Sequence, residues 1–450
     1  MREAEAEART YGRSAGLLAA GVGTAGVLTY AYFSLASHNL DAQRYGEIVV
    51  LWSVVFVSIS VLYRPVEQLL SRTIAERRAE GTEIGSALRV AATIQLAVAV
   101  SCAIAILALR APIEDDLLSG SSELYWVMFA AVIAFGASFF ARGYLAGRRR
   151  FGLLAGLLVC ESASRAAFAL AVALGIANGQ SAIALGIAAA PLFSLVVVPL
   201  AFSRRATDGP VAGPPGGSVG RVSLASGGGF AAAVFVVMLS EQTLLNAGPL
   251  LVRGFSGAAA AGYIFNVLML ARAPLLVFQG VATSLLPHLT RLRSQGATGA
   301  DAFRLSLVLT LRAIAVFTAL VAVVVALAGP ALMQVAFSDR FDYDRAGLLI
   351  VTLGMGLYLA ATTLNQAALA RGRARAAAAC WAICAAGFLI WGLTDVLEEA
   401  RRIEVGFAAA ALALALALAL VNRGGDTAGA LRPGSVEETE ARLAIADEAS

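Results

Sequence analysis

The feature that most constrains this chain is a series of twelve apolar runs, each about as long as a bilayer is thick. A helix needs about 20 predominantly apolar residues to cross the hydrocarbon core. Runs of that order occupy roughly 14–37, 47–64, 89–109, 123–142, 152–177, 181–202, 224–248, 260–287, 304–328, 346–370, 376–395 and 403–421. Lipid offers no partners to backbone amides, so such runs are helices that satisfy their own hydrogen bonds. The charge content agrees: 59% of residues are hydrophobic and 14% charged, too little charge to solvate a soluble protein of this size. The sequence therefore predicts an all-α, polytopic membrane protein. The first run follows Arg2, Arg9 and Arg13, is too long for a signal-peptide core and has no clear cleavage site, which predicts a retained helix.

Orientation follows from arginine, because all 34 basic residues are arginine. With the N-terminus in the cytoplasm, the inside connectors carry Arg64, Arg72, Arg77, Arg78 and Arg89, then Arg142 with Arg148, Arg149 and Arg150. Further inside positions are Arg204, Arg205, Arg221, Arg291, Arg293, Arg371, Arg373 and Arg375. The outside connectors hold few, such as Arg44, Arg110 and Arg253, and one is acidic at Glu114, Asp115 and Asp116. This asymmetry, with an even number of spans, puts both termini in the cytoplasm and the protein in the cytoplasmic membrane. The Pro/Gly-rich stretch 204–222 reads as a flexible linker between an N-terminal lobe, 1–203, and a C-terminal lobe, 223–421. The polar stretch 422–450 reads as a disordered tail.

The two lobes look alike. "AQRYGEIVVLW" opens the second span and "AAAGYIFNVLM" the eighth, with Gly46 and Gly262 216 residues apart. "AGRRRFGLLAG" before span five matches "ARGRARAAAAC" before span eleven. Each half has six spans, so both enter the membrane from the same side. Parallel repeats of this kind are related by an axis along the membrane normal, and substrate sits between them.

Polar groups deep in a span cost about 2.5–3.5 kcal/mol on insertion scales and face protein or water. In "LLVCESASRAAFALAV", Glu161 and Arg165 stand four residues apart on one helix face. They read either as a self-neutralising structural pair or as part of a cavity wall. Span seven carries Glu241 and Gln242, with Asn246 a turn later; span eight carries Arg272 with Gln279 and Thr283 on nearly the same face, and Pro274 predicts a kink there. Tyr358, Thr362 and Asn365 share a face of span ten, and Arg64 closes the cytoplasmic end of span two as anchor or gate. The candidate substrate-binding residues are therefore Glu161, Arg165, Arg272, Gln279, Glu241, Asn365 and Arg64. Arginine binds a dense oxyanion bidentately and keeps its charge where water is scarce.

Other signals are discounted. "GVGTAG" at 21–26 spells a dinucleotide fingerprint, but it lies in an apolar run, where small residues instead permit close helix packing. Cys102, Cys160, Cys380 and Cys384 lie in apolar runs and read as packing residues, not as a disulfide or zinc framework. No cofactor or metal is implied, no catalytic constellation can be assembled, and no nucleic-acid partner is expected.

The stretches "ASHNLDAQRYGEIVVLWS" and "LLVRGFSGAAAAGYIFNVLMLA" give the chain a resemblance to polysaccharide flippases of the multidrug/oligosaccharidyl-lipid/polysaccharide exporter superfamily. The resemblance implies two six-helix lobes around a central cavity and a lipid-linked oligosaccharide as substrate. Membrane lipids, and glycan polymerase or glycosyltransferase enzymes, are the partners it implies. Two alternatives stay open: a cation-coupled multidrug exporter of the same superfamily, and a membrane glycan polymerase or ligase. The exporter would need an acid in the N-terminal lobe, where span one has none and Glu161 is flanked by an arginine. The enzyme would need a large external loop, which the connectors do not supply.

Overall fold

The computed structural model describes the backbone of residues 2–79, 81–199, 224–294, 297–341 and 343–423, and their side chains apart from 2–15, 79, 224–231 and 274–300. The linker and nearly all of the tail expected from the sequence lie outside these residues. The described chain is α-helical, without β-strands. Its helices are α1 (Arg2–Asn39), α2 (Ala42–Leu62), α3 (Arg64–Ala79), α4 (Gly85–Ala108), α5 (Ser122–Gly147), α6 (Phe151–Ala173) and α7 (Gly179–Ser194). They continue with α8 (Leu224–Ser294), α9 (Ala297–Phe337), α10 (Arg345–Ala370), α11 (Ala374–Gly392) and α12 (Glu399–Arg423). Eleven described stretches are long and apolar enough to cross a membrane. One of them, Ala232–Ala273, holds two crossings, because α8 leaves helical geometry at Gly257 (φ 86°, ψ −178°). The twelve expected crossings are thus present. α3, expected as a cytoplasmic connector, is an amphipathic helical extension of α2.

The helix ends show why the chain bends where it does. Asp41 caps α2 by accepting the Arg44 N–H (2.9 Å), Ser121 caps α5 through Leu124, and Asp344 caps α10 through Gly347. The break at Gly257 is the repeat of the α1–α2 junction at Asp41, 216 residues earlier. There the chain uses glycine, because a positive φ with extended ψ is open to little else. Pro274, expected to kink the helix, instead lies within a stretch whose backbone stays helical. The α5–α6 and α10–α11 turns also repeat one another. Arg149 (φ 55°) and Gly372 (φ 73°) occupy the left-handed position, and their N–H groups reach back to Ala146 and Leu369. The next N–H groups, of Arg150 and Arg373, reach Leu145 and Ala368, closing both helices in the same way.

Small residues set the packing within the N-terminal half. A Cβ on Gly21 would meet Ala155 at 2.5 Å, so the "GVGTAG" stretch brings α1 against α6. Gly143 and Gly147, spaced four apart on α5, let the backbone of α3 approach at Glu67 and Ser71. α4 and α9 expose rows of large apolar side chains, such as Val100, Ile104, Val316 and Leu320, as lipid-facing helices do.

The halves meet where α1 ends and α2 begins. Gly46 of α2 and Gly262 of α8 face each other: a Cβ on Gly46 would lie 1.8 Å from the Ala258 carbonyl oxygen, and one on Gly262 would lie 3.1 Å from Gly46 Cα. The two repeat glycines therefore mark the contact around which the halves pair. Around them Tyr45 donates its hydroxyl to Asn266, Phe33 packs on Phe265 (ring centroids 4.6 Å apart), and Arg340 donates to the Leu40 carbonyl (2.7 Å). Arg253 donates to Ser119 Oγ (2.9 Å) and the Leu117 carbonyl (3.2 Å). These contacts hold the halves together at this end, the end that the arginine asymmetry predicts to be the outer one. A cysteine at Asp116, in a background lacking the four native cysteines, is expected to react with an impermeant maleimide from outside intact cells. One at Thr82 is expected to react only after permeabilisation; the reverse pattern overturns the orientation. Both positions are exposed.

Candidate substrate cavity

Below the seal the halves part around a cavity of about 340 Å³. α1 contributes Thr29 and Tyr30; α2 contributes Trp52 and Phe56; α5 contributes Phe139 and Arg142; α6 contributes Glu161, Ser162 and Arg165. Across from them, α8 contributes Asn246 from before its break and Phe265, Met269 and Arg272 from after it. The cavity thus lies between the halves, as the repeat architecture leads one to expect.

Glu161 and Arg165 are buried, 5% and 4% exposed, and both line the cavity. Their pairing differs from a simple i, i+4 bridge. Glu161 Oε1 is 3.5 Å from Arg165, whereas Glu161 Oε2 accepts a 2.5 Å bond from Arg142 Nη2 and a 3.1 Å bond from Ser138 Oγ. One carboxylate therefore serves two guanidinium groups. Arg142, expected as a cytoplasmic anchor, sits more than a turn inside the helix, because α5 runs on to Gly147. The α5–α6 hairpin explains the meeting. Ser138 and Glu161 are nearly equidistant from the turn at Arg149 and stand level, and the long Arg142 side chain reaches back across one turn.

Arg165 donates to Ser162 (3.1 Å) and Thr29 (3.4 Å), and its guanidinium lies over Trp52, 4.7 Å from the ring centroid. Arg142 lies over Phe139 at 4.4 Å. The aromatic rings back the guanidinium groups by cation–π contact. Arg272 differs. It donates to Asn246 Oδ1 (3.3 Å), itself joined to Gln242 (2.9 Å), while its buried Nε and Nη2 find no hydrogen-bond partner. It has no carboxylate partner among the described residues. A buried donor left unpaired costs about 1–3 kcal/mol or more, and the open cavity beside it is where a partner would come from.

The remaining candidates lie elsewhere. Glu241 accepts from Tyr358 (3.0 Å) between α8 and α10, outside the cavity wall. Asn365 accepts from the indole of buried Trp381 (3.1 Å) and joins α10 to α11. Asn365 occupies in the second repeat the position of Arg142 in the first, and Phe388 that of Arg165. The charged cluster therefore belongs to one half only. Arg64 opens α3 and, like Arg142, lies in the electrostatic neighbourhood of Glu67. The side chain of Gln279 lies outside the described residues.

No protein-family model matches the sequence, and no curated protein matches it by sequence. Solved structures do match in fold. An inward-facing multidrug resistance MATE family transporter of the MOP superfamily aligns with a TM-score of 0.70 at 13% identity, over 90% of this chain and 95% of that one. An outward-facing structure under the same description aligns at 0.60 with 15% identity, over 92% and 96%. A MOP superfamily transporter from Pyrococcus furiosus, whose reverse-polarity binding pocket is described as suggesting a different function, aligns at 0.62 with 15% identity, over 91% and 94%. The class defined here is that of polytopic helical membrane proteins with two six-helix lobes around a central cavity. Within that class, the fold is the one seen in MATE transporters of the MOP superfamily.

Proposed function

We propose that this chain is an alternating-access transporter of the cytoplasmic membrane, and no enzyme, and that its cargo is an anionic amphiphile: a polyprenyl-diphosphate-linked oligosaccharide destined for cell-surface polysaccharide. The observation that carries this reading is the polarity of the cavity, where Arg142, Arg165 and Arg272 face one carboxylate, Glu161. A dense anion is the cargo that three guanidinium groups fit. Tyr30, Trp52 and Phe56 add aromatic faces, and Thr29, Ser162 and Asn246 add hydroxyl and amide groups that suit a glycan. The better agreement with an inward-facing relative (TM-score 0.70 against 0.60) supports a state sealed outside and ready to load from the cytoplasm.

The multidrug reading has a specific support of its own, since two of these relatives are described as multidrug resistance transporters. Against it stands Glu161, the acid such an exporter would need, held by two arginines. The Pyrococcus furiosus transporter, whose reverse-polarity pocket is described as suggesting a different function, shows that pocket polarity varies on this fold. Proteoliposomes separate the readings. The flippase reading expects movement of a fluorescent lipid-linked oligosaccharide, lost in Arg272→Ala and partly kept in Arg272→Lys, which retains charge but not the planar fork. Transport of a cationic dye without glycolipid movement would reject it in favour of the multidrug reading.

A further inference from the structure

We infer that Glu161 is an internal anion occupying the seat of the cargo's diphosphate, and that cargo loads by displacing it from Arg142 and Arg165; the inference rests on the anionic-cargo reading above. A structural pair needs one arginine per carboxylate. Here α5 and α6 each aim one at the same group, Arg142 at 2.5 Å and Arg165 at 3.5 Å. Each guanidinium is backed by a ring, Phe139 or Trp52, so its position survives when the carboxylate leaves. Donor capacity is also in excess: Nε of Arg142 and Nε of Arg165 are buried without partners, as are Nε and Nη2 of Arg272 on the facing half. A carboxylate offers two acceptor oxygens. A diphosphate offers several on two linked centres, enough to take over Glu161's bonds, draw in the hydroxyls of Ser162 and Thr29, and reach Arg272. Cargo bound this way would connect the halves, which Glu161 does not do. Glu161, freed from the arginines, retains Ser138 as a hydrogen-bond partner.

The probe is inorganic pyrophosphate, titrated onto the full chain in detergent by calorimetry and thermal unfolding. Glu161→Gln removes the competing charge with little change of shape, and is expected to bind pyrophosphate on the order of tenfold more tightly than the native protein. Arg165→Ala is expected to lose binding. Glu161→Gln is also expected to be less stable than the native protein without pyrophosphate and to regain stability with it. Equal or weaker binding by Glu161→Gln, or no recovery of its stability, overturns the inference. Polyprenyl diphosphate should displace pyrophosphate at lower concentration; displacement only at equal concentration overturns the lipid as the source of the anion. If glycolipid movement fails while Glu161→Gln still tightens pyrophosphate binding, the cargo reading falls and the anion seat stands. If glycolipid moves and Glu161→Gln changes nothing, the seat falls and the cargo reading stands.

Discussion

A valine at Gly46 is expected to abolish transport while leaving each half folded. The reason is geometric. Even the first added carbon would lie 1.8 Å from the Ala258 carbonyl oxygen and 2.2 Å from its carbon. The obstacle is partner backbone one residue past the break at Gly257, so no side chain can turn aside, and the halves must separate at this end. Overpacking costs about 1–3 kcal/mol where relief is possible. At 1.4 kcal/mol per tenfold, that moves the balance between sealed and open states by up to about 100-fold. The packing inside each half does not involve this contact. Spin labels at His38 and Asp339, both exposed at the sealed end, are expected to move apart in Gly46→Val, and glycolipid movement to stop. Gly254→Ala is the control, since a Cβ there meets nothing within 4 Å. An unchanged label distance with full transport would show that the two repeat glycines are not the pivot of the seal.

The same glycines show how far the sequence could be read. Apolar run length fixed the number of crossings because lipid leaves the backbone one solution. The 216-residue offset matched Gly46 to Gly262, and it also matches Asp41 to Gly257, where α8 breaks. What periodicity could not say is that the two glycines touch, since contact between repeats is a property of the assembled pair. Arg142 was missed for a different reason. Arginines at span ends have an ordinary use as cytoplasmic anchors, and Arg142 falls at the end of the apolar run but not at the end of the helix. The signal that could have found it is the hairpin: the "RRR" turn sets Arg142 a little over one helical turn from the level of Glu161, within reach of an arginine side chain. Asn365 has a use that its place in a span does not reveal, because a polar residue there also arises where an indole N–H needs an acceptor, as Trp381 does. Glu161, Arg165 and Arg272 could be read directly, since their cost in lipid demands polar surroundings.

The second large effect is an order of stability that separates the observed triad from a plain pair. Glu161→Leu leaves Arg142 and Arg165 close together without the carboxylate that joins them; Glu67 still neighbours Arg142, but among the described residues no other acid neighbours Arg165. Arg165→Leu leaves Glu161 still bound to Arg142 at 2.5 Å and to Ser138 at 3.1 Å. Breaking a buried ion pair by removing one partner costs about 3–5 kcal/mol, because a charge is stranded. Glu161→Leu strands Arg165 beside a second guanidinium and should reach that range; Arg165→Leu strands no charge and should stay near the 1.5–3 kcal/mol or so of a lost bond to a charged group. Both residues are at least nine-tenths buried, so solvent screening does not erase the difference. The double variant Glu161→Leu/Arg165→Leu leaves Arg142 with Glu67 nearby but without its hydrogen-bonded carboxylate and should fall below Arg165→Leu, where an isolated pair would instead recover. Thermal unfolding in detergent reads the order: native, then Arg165→Leu, then the double variant, with Glu161→Leu lowest. Arg165→Leu as unstable as Glu161→Leu, with recovery in the double variant, would return the site to an i, i+4 bridge and remove Arg142 from it.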